Sequence, residues 1–214
     1  MSRNNAGLSP ELIVTEALRI IDGMGLRNLT MRRLGDALKV EAMAIYHHFP
    51  LGKEQLYGAI VEYISDPARA AAPSGAEESG EEPGQDPRPW NERLRAWAHD
   101  YRAALLRHSG ALPLMIHRRP DTAAALRSAE LHYAAFLEAG LPPEEVPGAA
   151  AALDSYVLGA VVHQVRAEGL PSRDPAEVDG RFPTVAALRG VAVDHDRVFA
   201  AGLDALLAGL TARG

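Results

Sequence analysis

The sequence predicts an all-α protein in two unequal parts. A three-helix domain with a helix-turn-helix comes first, and a larger helical domain follows. Three observations carry that prediction. The chain is 47% hydrophobic with only 6% aromatic residues, and much of its apolar content is Ala and Leu, which favour helices. Leu29 to Tyr57, LTMRRLGDALKVEAMAIYHHFPLGKEQLY, reads as two short helices around a tight turn and the start of another. Between Asp66 and Pro89 the composition changes abruptly to Pro, Gly, Ser, Ala and acids, with no large apolar side chain.

The elements follow in order. Ser9-Pro10-Glu11 is a helix start: a capping hydroxyl, Pro at the first helical position and an acid on the positive end of the dipole. Ile13, Ala17, Leu18 and Ile21 continue it, and Gly23 and Gly25 end it. Thr30 supplies the next N-cap, with Leu34, Ala37 and Leu38 as the buried stripe. Lys39 and Val40 make the turn. A left-handed backbone there is free for Gly but costs Lys39 about 1 kcal/mol. Ala42 to His48 forms the second helix, with Ile45 and Phe49 inward and Ala42, Met43, Tyr46 and His47 outward. Its small opening residues suit a recognition helix that must sink into the major groove. Pro50 stops that helix. The next runs from Lys53 to Ile64, with Leu56, Ile60 and Ile64 on one face.

Residues 66–89 form a flexible acidic Pro/Gly-rich linker between a domain over residues 1–65 and a second over 90–214. Helices are predicted from Trp90 to His108, Gly110 to His117, Pro120 to Ala139, Pro143 to Ala167 and Asp194 to Ala212, with a mobile loop from Gly169 to about Pro183. There is no cysteine, hence no disulfide and no Cys-based zinc site. The N-terminus lacks an apolar signal core, and no stretch reads as long and apolar enough to span a membrane. The expectation is a cytoplasmic protein with no membrane contact. The net charge of −6 lies wholly beyond residue 65, because residues 1–65 hold seven Lys/Arg and seven Asp/Glu. Any DNA footprint is therefore local, and both lysines, Lys39 and Lys53, lie within it.

Leu29-Thr30-Met31-Arg32, the run Ile45-Tyr46-His47-His48-Phe49 and Lys53-Glu54-Gln55-Leu56 resemble the TetR family of bacterial transcription regulators over about residues 8–64. Trp90…His108, Arg119-Pro120, Phe136-Leu137…Gly140 and Phe199…Leu210 are similar to the ligand-binding half of the tetracycline repressor, which gives the family its name. The resemblance implies that Thr30, Tyr46, His47 and Lys53 hold phosphates, while Arg32, Ala42, Met43 and Ala44 face base edges beside Met31. Arg32 is the residue suited to a bidentate contact with guanine. Arg33 is expected to be a solvated charge, and His48 to pack or cap. The family arrangement also implies a homodimer through the Pro143–Ala167 and Asp194–Ala212 helices, whose Ala and Gly let helices approach closely. A dimer would engage two half-sites of a palindromic double-stranded operator.

The same resemblance implies a small-molecule effector pocket in the second domain. Its candidates are Trp97, Tyr101, Met115, His117, His132, Tyr156 and His163, with Trp97 and Tyr101 at i and i+4 on one face. Tetracycline's contacts map onto Arg69, Trp97, Tyr101, Met115, Arg118 and His132. Trp97 and Met115 cannot replace an amide and a metal-binding imidazole, although His117 lies one register shift from the latter. The implied effector is thus another apolar or planar molecule, acting as an inducer that releases a repressor from its operator. No cofactor, metal site or catalytic residue is expected. A helical metal enzyme is disfavoured: there is neither His-Glu-x-x-His nor a Glu-x-x-His pair. The other alternative is a helix-turn-helix protein controlled by a protein partner.

Overall fold

The computed structural model describes residues 7–66, 86–118, 123–169, 181–188 and 190–212. Within them the regular structure is ten α-helices and two 3-10 turns, with no strand. Helix α1, Pro10–Met24, begins where the sequence places it: Ser9 Oγ accepts the Leu12 N–H at 3.1 Å. Gly25 ends it at φ 84°, with its N–H on the Ile21 carbonyl at 2.7 Å. A 3-10 turn, Leu26–Asn28, leads into α2, Met31–Leu38, where Thr30 Oγ accepts the Arg33 N–H at 3.1 Å. Each such cap contributes about 1 kcal/mol. Lys39 adopts the left-handed conformation at φ 58° and ψ 34°, as the turn demands. Helix α3, Ala42–His48, and α4, Lys53–Ser65, complete this part.

Helix α5, Trp90–Arg107, opens the second part. The sequence continues through a 3-10 turn, Ser109–Ala111, into α6, Leu112–His117, so the single predicted helix from Gly110 is in fact a tighter turn followed by a short helix. Gly110 explains the break: a Cβ there would stand 2.9 Å from the Ile21 carbonyl oxygen, so only Gly lets this turn lie against the end of α1. Helix α7 is described over Ala123–Glu138, and the start expected at Pro120 lies outside the described residues.

Helix α8, Val146–Gly169, starts three residues later than predicted. The Pro142 carbonyl accepts the Glu145 N–H at 2.9 Å, spending Pro143–Glu145 on a turn before the first helical bond from Ala149 to Glu145. A short exposed helix, α9, Pro183–Leu188, precedes α10, His195–Thr211, which Asp194 caps through the Asp196 and Arg197 N–H groups. The predicted linker beyond Asp66 as far as residue 85, and the predicted loop over 170–180, lie outside the described residues.

One sequence expectation needs correction. Helix α8 has 24 residues and a mean hydropathy of 1.2, long and apolar enough to cross a membrane by length and composition. Its apolar character is diluted among Ala and Gly, which is why it reads as unremarkable residue by residue. Here 33% of its apolar window is buried, against α5 and α7.

The core runs without interruption from Ile13 and Leu18 through Leu56 and Ile60 to Phe136, Leu153 and Leu203. Helix α4 is the shared element, because it packs on α1 at one side and on α7 and α5 at the other. Among the described residues, three contacts to carboxylates join the two parts around it. His108 Nδ1 meets Asp22 Oδ2 at 2.8 Å, Arg118 pairs with Glu54, and Arg127 Nη2 donates to Asp66 Oδ2 at 2.6 Å. All three are partly exposed, so each contributes about 0–1 kcal/mol. Burial of the α4 apolar side chains carries the connection.

Candidate nucleic-acid interface and effector pocket

The helix-turn-helix is held shut at Gly35. A Cβ on Gly35 would meet the Val40 carbonyl oxygen at 2.9 Å and the Ala42 nitrogen at 3.2 Å. Backbone therefore passes over backbone, and the Val40 N–H bonds the Gly35 carbonyl at 2.9 Å. This contact, together with the left-handed Lys39 in the turn, sets the angle between α2 and α3. Sequence reasoning fixed on Lys39 and passed over Gly35. Its signal was the spacing: a Gly inside a helix, five residues before the turn residue Val40, marks a close approach. Gly52, at φ 67°, does the same between α3 and α4, where the Tyr46 ring lies 3.2 Å from the position its Cβ would take.

The side chains assigned to DNA then sort by exposure. Met43 is 66% and Tyr46 40% exposed, and His47 and Arg32 also face solvent. Tyr46 leans on Gly52 but is not core. Arg32 forms no ion pair or side-chain hydrogen bond among the described residues, whereas Arg33 Nη1 donates to the Asn28 carbonyl at 2.9 Å. Arg33 is thus exposed, as expected, yet tethered. Thr30 has spent an oxygen lone pair on its cap, which leaves its O–H to donate outward. Met31 and Ala42 are partly buried, and His48 is partly buried at the end of α3. Ala44 is a correction: it is buried with Ile45 on the inner side of α3, so its methyl group faces the domain core and not a base edge. Lys53, the first residue of α4, holds its Nζ 5.2 Å above the Tyr57 ring. Arg118 Cζ lies 5.4 Å from the same ring, so Arg118 is committed to the root of α4 rather than to a pocket.

The effector candidates fall into three places. Trp97, Tyr101 and His132 come together: the Trp97 ring lies 5.0 Å from Tyr101 and 4.1 Å, edge-on, from His132. Met115 is buried in the same core. His132 is 1% exposed and its Nε2 has no hydrogen-bond partner. Burial pushes its pKa down to about 4, so the imidazole is neutral near pH 7 and its 3.8 Å contact with Asp154 is not an ion pair there. The Tyr101 hydroxyl is pushed up, first by burial and then by the Asp154 charge. Trp97 Nε1 donates to Ser128 Oγ at 3.4 Å, and Ser128 Oγ in turn reaches the Ser65 carbonyl at 3.5 Å. This polar thread connects the aromatic cluster to the last residue of α4. Ser128 was invisible in sequence, because a Ser in an Ala-rich helix carries no signal of its own.

His117 is exposed at the end of α6, away from that cluster, so it does not supply the missing imidazole. Its place at the helix terminus turns it to solvent. Tyr156 and His163 belong elsewhere again, on α8 beside α10. Arg69, the remaining tetracycline-derived position, lies outside the described residues. Among the described residues no three His, Asp or Glu side chains gather in a metal-binding group.

The α8 and α10 helices expose a face of small residues. Leu141, Gly148, Ala149, Ala205, Leu206 and Gly209 line a groove of about 570 Å³ between them. The acids Glu144 and Glu145 also line it.

Comparison with known proteins agrees with this geometry. The family model for bacterial regulatory proteins of the tetR family matches residues 13–60, and that for the tetracyclin repressor-like C-terminal domain matches residues 82–213. An HTH-type transcriptional regulator of Saccharopolyspora erythraea is 28% identical over 213 residues, which is 100% of this chain and 79% of that one. The Streptomyces coelicolor protein ActR, solved with actinorhodin, is 25% identical, with a TM-score of 0.72 over 97% of this chain and 98% of that one. A BioQ protein solved with its double-stranded DNA operator is 25% identical, with a TM-score of 0.62 over 96% and 99% of the two chains.

Proposed function

Because the chain belongs to the TetR family of bacterial transcription regulators, we propose that it is a repressor that a small aromatic molecule releases from a palindromic operator. The observation that carries this reading is the continuity of one helix. Helix α4 begins at the recognition unit with Lys53 and ends against the cluster of Trp97, Ser128 and His132. The proposed division is a reading domain over residues 1–65, a linker over 66–89 and an effector and dimerisation domain over 90–214.

On the DNA side, Thr30, Tyr46, His47 and Lys53 hold phosphates, while Arg32 and Met43 face base edges, with Met31 and Ala42 allowing close approach. Backbone contacts of this kind position the protein, and base-edge contacts specify the sequence. The domain is neutral overall, so a single copy binds weakly. A homodimer through α8 and α10 supplies the second half-site. Its interface is the small-residue groove between those helices, extended by the exposed Ala201 and Ala208. The protein works in the cytoplasm, where its operator is, and carries out no catalysis.

On the effector side, the proposed site is the packed cluster of Trp97, Tyr101, Met115 and His132. With the His132 proton on Nδ1 toward Asp154, the unpartnered Nε2 accepts a hydrogen bond. The effector class is therefore a planar, mainly apolar molecule carrying one N–H or O–H donor. It acts by preferring the conformation in which the two recognition helices are badly spaced, and it lowers operator affinity by that differential.

The test is fluorescence anisotropy with DNA from just upstream of the protein's own gene, over a salt series. Binding should fall steeply with salt. Arg32→Ala should weaken it by about 1–3 kcal/mol and relax specificity at one position, and Tyr46→Phe should weaken it evenly across sequences. If selection from random duplexes also yields no preferred sequence, the reading fails.

A further inference from the structure

Arg102, on α5, is an unusual residue to find where it is. Its side chain is 9% exposed, and a buried guanidinium is expensive unless every donor is matched. Here the matching is incomplete. Nη2 donates to Gln164 Oε1 at 2.6 Å, and Nη1 meets Asp196 Oδ1 at 2.8 Å. Nε has no partner. Of the two partners, Gln164 is a neutral amide, held in place by its own bond from Nε2 to Glu168 Oε1 at 2.8 Å. Among the described residues, the carboxylate paired with Arg102 is Asp196, whose side chain is 85% exposed at the start of α10.

The guanidinium is nevertheless pinned. It lies 4.8 Å above the Phe199 ring, which stacks on Tyr156 at 5.4 Å. Tyr156 is fixed by donating its hydroxyl to the Phe199 carbonyl at 2.7 Å. Arg102, Tyr156, Gln164 and Phe199 line a cavity of about 350 Å³ between α5, α8 and α10, whose rim carries His163 and His195 with ring centroids 6.4 Å apart. This cavity is separate from the Trp97 and His132 cluster.

We propose that this cavity is a second binding site, for a small carboxylate bearing a flat apolar body. The acid group pairs with Arg102 in place of Asp196, the imidazoles of His163 and His195 offer further N–H donors at the mouth, and the ring lies along Phe199, Tyr156 and Val198. Asp196 serves as an internal stand-in anion that swings into solvent when the ligand enters. A carboxylate fits better than a neutral molecule, because the planar fork of Arg matches two carboxylate oxygens at once. The site does not depend on DNA binding or on the proposed effector pocket, although Ser155, Gly159 and Ala160 of its lining lie on α8 beside α10, the helices of the proposed dimer.

The experiment is calorimetric titration of the full-length protein with benzoate, and with benzamide as the neutral isostere. Wild type should bind benzoate in preference to benzamide. Asp196→Asn removes the competing carboxylate but keeps a side-chain oxygen for Nη1, and should tighten benzoate binding by at least about fivefold, the upper end for an exposed ion pair. Arg102→Met should weaken it by at least about tenfold. Absence of benzoate binding, equal binding of benzamide, or an affinity unmoved by Asp196→Asn would each overturn the proposal. A carboxylate from a second copy is the other source of the same chemistry. If benzoate does not bind and Arg102→Met instead shifts the monomer–dimer equilibrium in sedimentation, the cavity belongs to the subunit interface and the proposal is refuted.

Discussion

Exchanging Gly for Ala at two helical positions should have opposite effects. Gly58 sits inside α4, and a Cβ built there meets nothing within 4 Å. Gly58→Ala therefore gains the helix propensity of Ala, about 1 kcal/mol, with no steric cost. Gly35 is also inside a helix and gains the same propensity. Its Cβ, however, would stand 2.9 Å from the Val40 carbonyl oxygen and 3.2 Å from the Ala42 nitrogen. An ordinary C···O contact is about 3.3 Å or more, so the turn must open by about 0.4 Å, and backbone cannot rotate aside as a side chain can. Overpacking of this kind costs about 1–3 kcal/mol. Since the propensity gain is common to both, Gly35→Ala should be less stable than Gly58→Ala by about that 1–3 kcal/mol. Urea unfolding at one fixed protein concentration measures the difference, and fixing the concentration matters because dimerisation would add to the apparent stability. Gly35→Ala should also lose operator affinity, since α3 is re-aimed relative to α2, while Gly58→Ala should keep it. If the two variants are stabilised equally, the close approach of α2 to the turn is wrong, and with it the account of how the recognition helix is held.

Other outcomes follow from the same physical reasoning. Gly202→Ala would place a Cβ against the Tyr156 hydroxyl, displacing that ring from the Phe199 carbonyl and lowering stability by about 1–3 kcal/mol in thermal unfolding. Ser128→Ala should cost about 1 kcal/mol, by leaving the Trp97 N–H without its acceptor, and should shift the Trp97 fluorescence. His132 should make stability pH-dependent. Its pKa falls from 6.5 to about 4 on burial, so the unfolded chain binds the proton more readily between those values. The stability present above pH 6.5 is then lost as pH falls toward 4, to a total on the order of 3 kcal/mol. In His132→Phe that component should vanish, and a variant whose acid-side profile parallels wild type would contradict the assignment.

The difference between what was legible and what was not lies in the range of the interactions. The caps at Ser9 and Thr30, the left-handed Lys39, the helix over Ala42–His48 and the stops at Gly25 and Pro50 are decided within four or five residues. Hydrogen bonding and backbone sterics at that range are written directly in the order of side chains. The buried faces of α1 and α4 were equally readable, because a helix repeats every 3.6 residues wherever it packs. Exposure of Met43 and Tyr46 followed from the same periodicity. The base-edge roles of Arg32 and Ala44 came from the family resemblance, which misplaced Ala44, buried beside Ile45.

The sequence alone thus determined an all-α chain with a helix-turn-helix near its start and a composition break after it, since propensity, capping and amphipathic period act locally. Tertiary structure alone decided which distant side chains meet. It put Trp97 against His132 and Arg102 between Gln164 and Asp196, and it sent His117 to solvent. It also turned the Gly110 segment into a seat for the end of α1. These pairings depend on how helices cross, and crossing geometry is a property of packed surfaces that no window along the chain contains.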